Sequence, residues 1–138
     1  MDEHRARVAR AARALLQHAG GELQPASGDP GADLRIPWGS AEARLRVVEG
    51  DPPLLTVWAV VLDGVPCSAG LLEELNRMNA GIVTCRVFWA DDAVVAATEV
   101  PVAELQPAEL EHALWAVGSF ADWADTTLQP RFGGRVGA

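Results

Sequence analysis

The 138-residue sequence has no lysine, no tyrosine and only two cysteines, and no apolar run nears the roughly 18 residues that would span a bilayer. Each absence excludes something. Without lysine, the glycine-rich loop PASGDPG has neither the cation nor the following helix of a phosphate cradle. Cys67 and Cys85 are too few for a disulfide framework and lack metal-site spacing, so two reduced, largely buried thiols are expected. The Arg-rich N-terminus carries no secretory cleavage pattern, and Asp2 and Glu3 argue against a transit peptide. These features predict a cytoplasmic protein that does not insert into membranes.

What is present suits one folded domain. Apolar residues make up 49% and charged residues 22%, too apolar for a disordered chain, and 138 residues can bury a real core. The net charge of −8 is uneven. Residues 1–50 balance seven arginines against seven acids, whereas residues 51–138 hold four arginines and twelve acids. An acidic half repels phosphate backbones, and no basic stripe interleaves with aromatics, so nucleic acid is not an expected partner. A basic patch on a protein partner suits it better.

Periodicity orders the chain as α-β-β-β-α-β-β-α. Val8, Ala12, Leu15, Leu16 and Ala19 form one stripe of a helix over 3–19, with Arg7, Arg10 and Arg13 opposite and Gly20-Gly21 at its end. Leu34, Ile36 and Trp38 alternate in a first strand, and Gly39-Ser40 is a candidate hairpin turn. Residues 42–48 set Ala43, Leu45 and Val47 against Arg44 and Arg46. Residues 54–62, LLTVWAVVL, are apolar at nearly every position, which predicts a central strand covered on both faces. Ser68 caps a second helix whose apolar face is Leu71, Leu72, Leu75 and Met78. Two strands, 82–89 and 93–99, flank an Asp91-Asp92 turn. A third helix starts at Pro107 and runs to about Leu128 on the stripe Leu110, Leu114, Val117, Ala121, Ala124 and Leu128. The expected fold is therefore α+β, an antiparallel sheet of about five strands packed with helices. A single domain spans 1–138, with residues 130–138 loosely ordered.

No catalytic constellation emerges. His4, His18 and His112 sit on predicted helices without metal-pair spacing. Cys67 precedes a helix start, but local sequence puts no base beside it. Ser119 lies inside a helix rather than on a nucleophile elbow. Asp91-Asp92 offers too few oxygens to hold a hard cation. The sequence therefore predicts no enzyme, no cofactor and no metal site.

Surface chemistry remains. Five tryptophans in a chain without tyrosine are many, and tryptophan is enriched at well-packed interfaces. Trp38, Trp58 and Trp89 can be core residues. Trp115 and Trp123 point away from the stripe of their own helix at 100° per residue, which marks them as candidates for a partner surface. Trp58 and Trp89 are the further candidates.

The segment LLEELNRMNAGIVTCRVFWADDAVVAATEVPV, residues 71–102, resembles the YbjN-like branch of the type III secretion chaperone-like superfamily. There a Leu-rich helix with an Asn near its end leads into a β-hairpin. Residues 107–134, ending ADWADTTLQPRFGG, resemble that family's closing helix and its Phe-Gly-Gly tail. The resemblance implies a non-catalytic, chaperone-like peptide-binding module, often homodimeric, whose second helix builds the dimer interface. The matching positions are Leu71, Leu72, Leu75, Arg77 and Met78. Asn79 matches the family's Asn, and a helix C-cap is the simplest role for it. The expected partner is a protein or peptide client. The alternatives are a subunit docked permanently in one complex, or a small-molecule binder whose pocket the sequence does not reveal.

Overall fold

A computed structural model describes residues 3–19, 24–25, 34–38 and 41–137. Its elements are α1 (Glu3–Ala19), β1 (Gln24–Pro25), β2 (Leu34–Trp38), β3 (Ala41–Val48), β4 (Leu54–Asp63), α2 (Ala69–Gly81), β5 (Arg86–Ala90), β6 (Ala93–Pro101), α3 (Pro107–Phe132) and β7 (Arg135–Val136). The α+β class and the order of the main elements are as the sequence predicts. Two short strands, β1 and β7, join the five expected ones. The predicted Gly20-Gly21 helix end and Gly39-Ser40 turn lie outside the described residues.

All neighbours in the sheet are antiparallel, in the order β1-β2-β3-β4-β6-β5. One face is buried. Ile36, Leu45, Val47, Leu55, Val57, Ala59, Val87, Val94 and Ala96 point into a core closed by α1 and α3. The stripe of α3 is fully used there: Leu110, Leu114, Val117, Ala124 and Leu128 have no exposed surface. Burying each such side chain stabilises the fold by about 1.5–3 kcal/mol. On α1, Val8, Ala12, Leu15 and Leu16 are buried while Arg10 and Arg13 are exposed.

The other face of the sheet differs from expectation. The run in β4 predicts cover on both sides, yet the helices bury only one. Leu54, Thr56, Trp58 and Val60 are half-buried on the second face, where the described residues shield them from within the sheet and form no second layer. The stems of arginines and the breadth of Trp58 supply that shielding.

Local chemistry sets the turns and ends. Asp91 and Asp92 both take positive φ, 51° and 62°, between the paired residues Ala90 and Ala93. This is the conformation of a two-residue I′ hairpin, which short carboxylate side chains tolerate. Ser68 accepts the Leu71 amide at 3.1 Å and caps α2 as expected. Helix α3 passes Leu128 and reaches Phe132, with Pro130 in an exposed last turn.

Beyond α3 the chain returns to the sheet. A register shift between Val60 and Leu62 lets Val61 and Leu62 both face inward, and β7 pairs with β4 beside that bulge. The Gly137 amide donates to the Val61 carbonyl at 3.1 Å. Glycine is needed here, because a Cβ at Gly134 would lie 2.8 Å from the Asp63 carbonyl and one at Gly137 would strike the Val60 carbonyl. The segment expected to be loose thus holds a paired strand.

Asn79 does not serve as a helix C-cap. Ile82 takes that position, its amide donating to the Met78 carbonyl at 3.0 Å. The Asn79 side chain instead imitates a strand: its Nδ2 donates to the Val87 carbonyl and its Oδ1 accepts the Val87 amide, both at 2.8 Å. Since β5 is an edge strand, this blunts an edge that could otherwise pair with another chain. Asn79→Ala should lower stability by about 1–3 kcal/mol in denaturant titration, while Asn79→Asp, which keeps the acceptor, should cost less.

Candidate functional site

The uncovered sheet face is built by strand register. Arg35 of β2 stands opposite Arg44 of β3, Arg44 opposite Trp58 of β4, Trp58 opposite Ala97 of β6, and Ala97 opposite Arg86 of β5. One row across five strands therefore reads Arg-Arg-Trp-Ala-Arg. Residues two positions along each strand form flanking rows on the same face. Val60, Val95 and Phe88 make an apolar row on one side, and Arg46, Thr56 and Glu99 a polar row on the other. Ala97 is only 1% exposed, so the larger side chains beside it close over it. Together Arg46, Thr56, Trp58, Arg86, Phe88, Val95, Ala97 and Glu99 line an open concavity of about 420 Å³.

Its electrostatics run against the whole chain. The Arg86 guanidinium holds Glu99 in a two-point pair at 2.6 and 3.0 Å and lies 5.5 Å from the Phe88 ring centroid. Arg35 pairs with Glu42 at 3.2 Å, and at the rim Arg135 pairs with Asp63 at 3.2 Å. Arg46 is exposed and has no carboxylate partner among the described residues. An apolar floor around Trp58 with fixed cationic groups beside it can hold an extended chain through side-chain contacts.

A second exposed surface lies on the outer side of α3. Trp115 and Trp123 are 59% and 56% exposed, where the helical period put them. The Trp123 ring sits 5.8 Å from that of Phe120, tilted at 50°. Nearby, the Asp125 carboxyl is held above its ordinary range, first by desolvation and then by the charge of Asp122.

The remaining candidates separate. Trp89 is a structural ligature: its indole N–H donates to the Val65 carbonyl at 2.7 Å, and the ring packs on the core. Of the five residues matched to a dimer helix, Leu71, Leu75 and Met78 are buried within this chain, and Leu72 and Arg77 are exposed. Arg77 binds Glu74, a buried carboxylate that Arg131 of α3 also approaches at 3.4 Å, so α2 is tied to α3. Sequence reasoning missed Phe88 and the arginine row. Alternation had set Arg44 and Arg46 on the non-core face, but only pairing brings them to Trp58. Among the described residues no group of three or more His, Cys, Asp or Glu is placed to hold a metal ion. No helix among them is long and apolar enough to cross a membrane.

Comparison with known proteins places this geometry in a class. Residues 2–137 match TY-Chap1, the family described as "T3SS (YopN, CesT) and YbjN peptide-binding chaperone 1". The chain belongs to that family. A chain in the crystal structure of the ExsC-ExsE complex has the same fold, with a TM-score of 0.66, 14% identity, and coverage of 93% of this chain and 97% of that one. No curated protein sequence matches.

The cysteines differ from expectation, since Cys67 is exposed in the loop before α2 and Cys85 is half-buried. Burial raises the Cys85 thiol above its ordinary range, and the charge of Arg86 offsets this only in part. Iodoacetamide at mildly alkaline pH should therefore alkylate Cys67 well before Cys85, as peptide mass spectrometry of timed aliquots would read out.

Proposed function

We propose that this protein is a cytoplasmic, non-catalytic peptide-binding module that holds an extended client segment on the uncovered face of its sheet. The observation that carries the reading is Trp58, half-buried at the middle of a central strand with no layer of the described residues above it. A large aromatic on the open face of a rigid sheet is the kind of anchor around which interfaces concentrate their energy. Membership of a peptide-binding chaperone family supports the same reading. Trp115 and Trp123 form a separate surface suited to a longer-lived protein contact, which favours a docking role for the outer side of α3.

Trp58→Ala should weaken peptide binding at least about tenfold in calorimetric titration, the loss expected of an interface anchor. Trp89→Phe should leave binding unchanged and lower stability by about 1 kcal/mol. Binding that survives Trp58→Ala and disappears in Trp115→Ala, Trp123→Ala would move the client site to α3.

A homodimer is proposed through the exposed residues of α2. Leu72 is 47% exposed, and the buried Leu71 and Leu75 hold the helix in place from below. Leu72→Glu should shift the protein from dimer to monomer in light scattering coupled to gel filtration, without change in its circular dichroism. A wild-type protein that is already monomeric at high concentration would rule this interface out.

A further inference from the structure

The peptide-binding reading leaves the chemistry of the client open, and the charges on the uncovered face bear on it. The strands place four arginines there, Arg35, Arg44, Arg46 and Arg86, against two glutamates, Glu42 and Glu99. Among the described residues the face is therefore positive within a chain of net charge −8. Arg35 and Arg44 are also direct cross-strand neighbours. Glu42 already meets Arg35, and Glu99 occupies Arg86. Arg46, on the lip of the Trp58 concavity, lacks a carboxylate among the described residues.

We infer that the client segment is acidic and apolar in alternation, its apolar side chains seated on Trp58, Phe88 and Val95 and its carboxylates on Arg46. The inference rests on the peptide-binding reading and deepens it. An extended segment suits this chemistry because its side chains alternate in direction, and those facing the sheet can interleave anchors with charges. The sign is opposite to the one read from net charge. Acids dominate the sequence as a whole, but a client meets only the face on which it lies, and charges beyond a Debye length of about 8–10 Å are screened.

The test compares three probes on the full chain by isothermal titration. Two are extended peptides with the same Leu/Phe pattern, one interleaved with Glu and the other with Arg. The third is an oligothymidylate, because arginines around an aromatic on an open sheet are also a base-stacking chemistry. At low salt the Glu peptide should bind about tenfold or more tighter than the Arg peptide, and the preference should shrink as salt rises. Arg46→Glu, at an exposed position, should abolish or reverse the preference, and Arg46→Gln should reduce it. Arg13→Glu, on the outer side of α1, should leave it intact. Equal or tighter binding of the Arg peptide overturns the inference while leaving peptide binding standing. So does a Glu-peptide preference that is unaffected by Arg46→Glu. Tighter binding of oligothymidylate replaces the client with a nucleic acid. If no probe binds, the peptide-binding reading fails and the inference fails with it.

Discussion

The stripe of α3 pressed against β3, β4 and β6 is the constraint on which the rest of this protein depends. Its leucines and valine leave no surface to solvent and its alanines almost none, and with α1 they consume the apolar side chains of one sheet face. With the helices committed there, little remains to form a second layer. Helix α2 lies at the sheet edge, tied to β5 through Asn79 and to α3 through Glu74 and Arg131. Among the described residues, one side of the sheet is therefore closed completely and the other is left open. Open sheet faces are usually polar, because a solvated face gains nothing from apolar residues. This one has a tryptophan at its centre and a phenylalanine and valines beside it, which is the physical oddity that a client would resolve.

The edges of the same sheet are managed differently from its face. Asn79 occupies the pairing groups of Val87 on the β5 edge, and β7 occupies those of β4 beyond the point where β3 departs. With these backbone groups satisfied, strand addition is disfavoured at those two places. The glycines at 134 and 137 serve that closure, since only a chain without Cβ atoms can lie so near Asp63 and Val60. Recognition through the open face, as proposed, would make selectivity depend on the composition of that face, hence on its arginines.

Much of the fold was legible because helical and strand periods are local. The stripes of α1 and α3, the Ser68 cap, the Asp91-Asp92 turn and the outward aim of Trp115 and Trp123 all follow from spacing along a few turns. Less legible are the roles of residues that depend on a distant partner. Asn79 looks like a helix end until β5 is beside it. Trp89 looks like a candidate binding residue until the Val65 carbonyl is found at its nitrogen. Pro130 looks like a stop, yet the exposed last turn of α3 tolerates the lost hydrogen bond.

The sequence by itself determined the elements, their order, the identity of the core stripes and the absence of a recognisable catalytic motif, because these depend on residues close together in the chain. It could not determine which face of the sheet would be left open. An apolar run such as LLTVWAVVL supplies two apolar faces but does not say whether enough helix exists to cover both. Nor could it bring Arg35, Arg44, Trp58 and Arg86 into one row, since strand register is a long-range property set by turns and core packing. The tertiary structure decided both, and with them the local sign of charge that a client would meet.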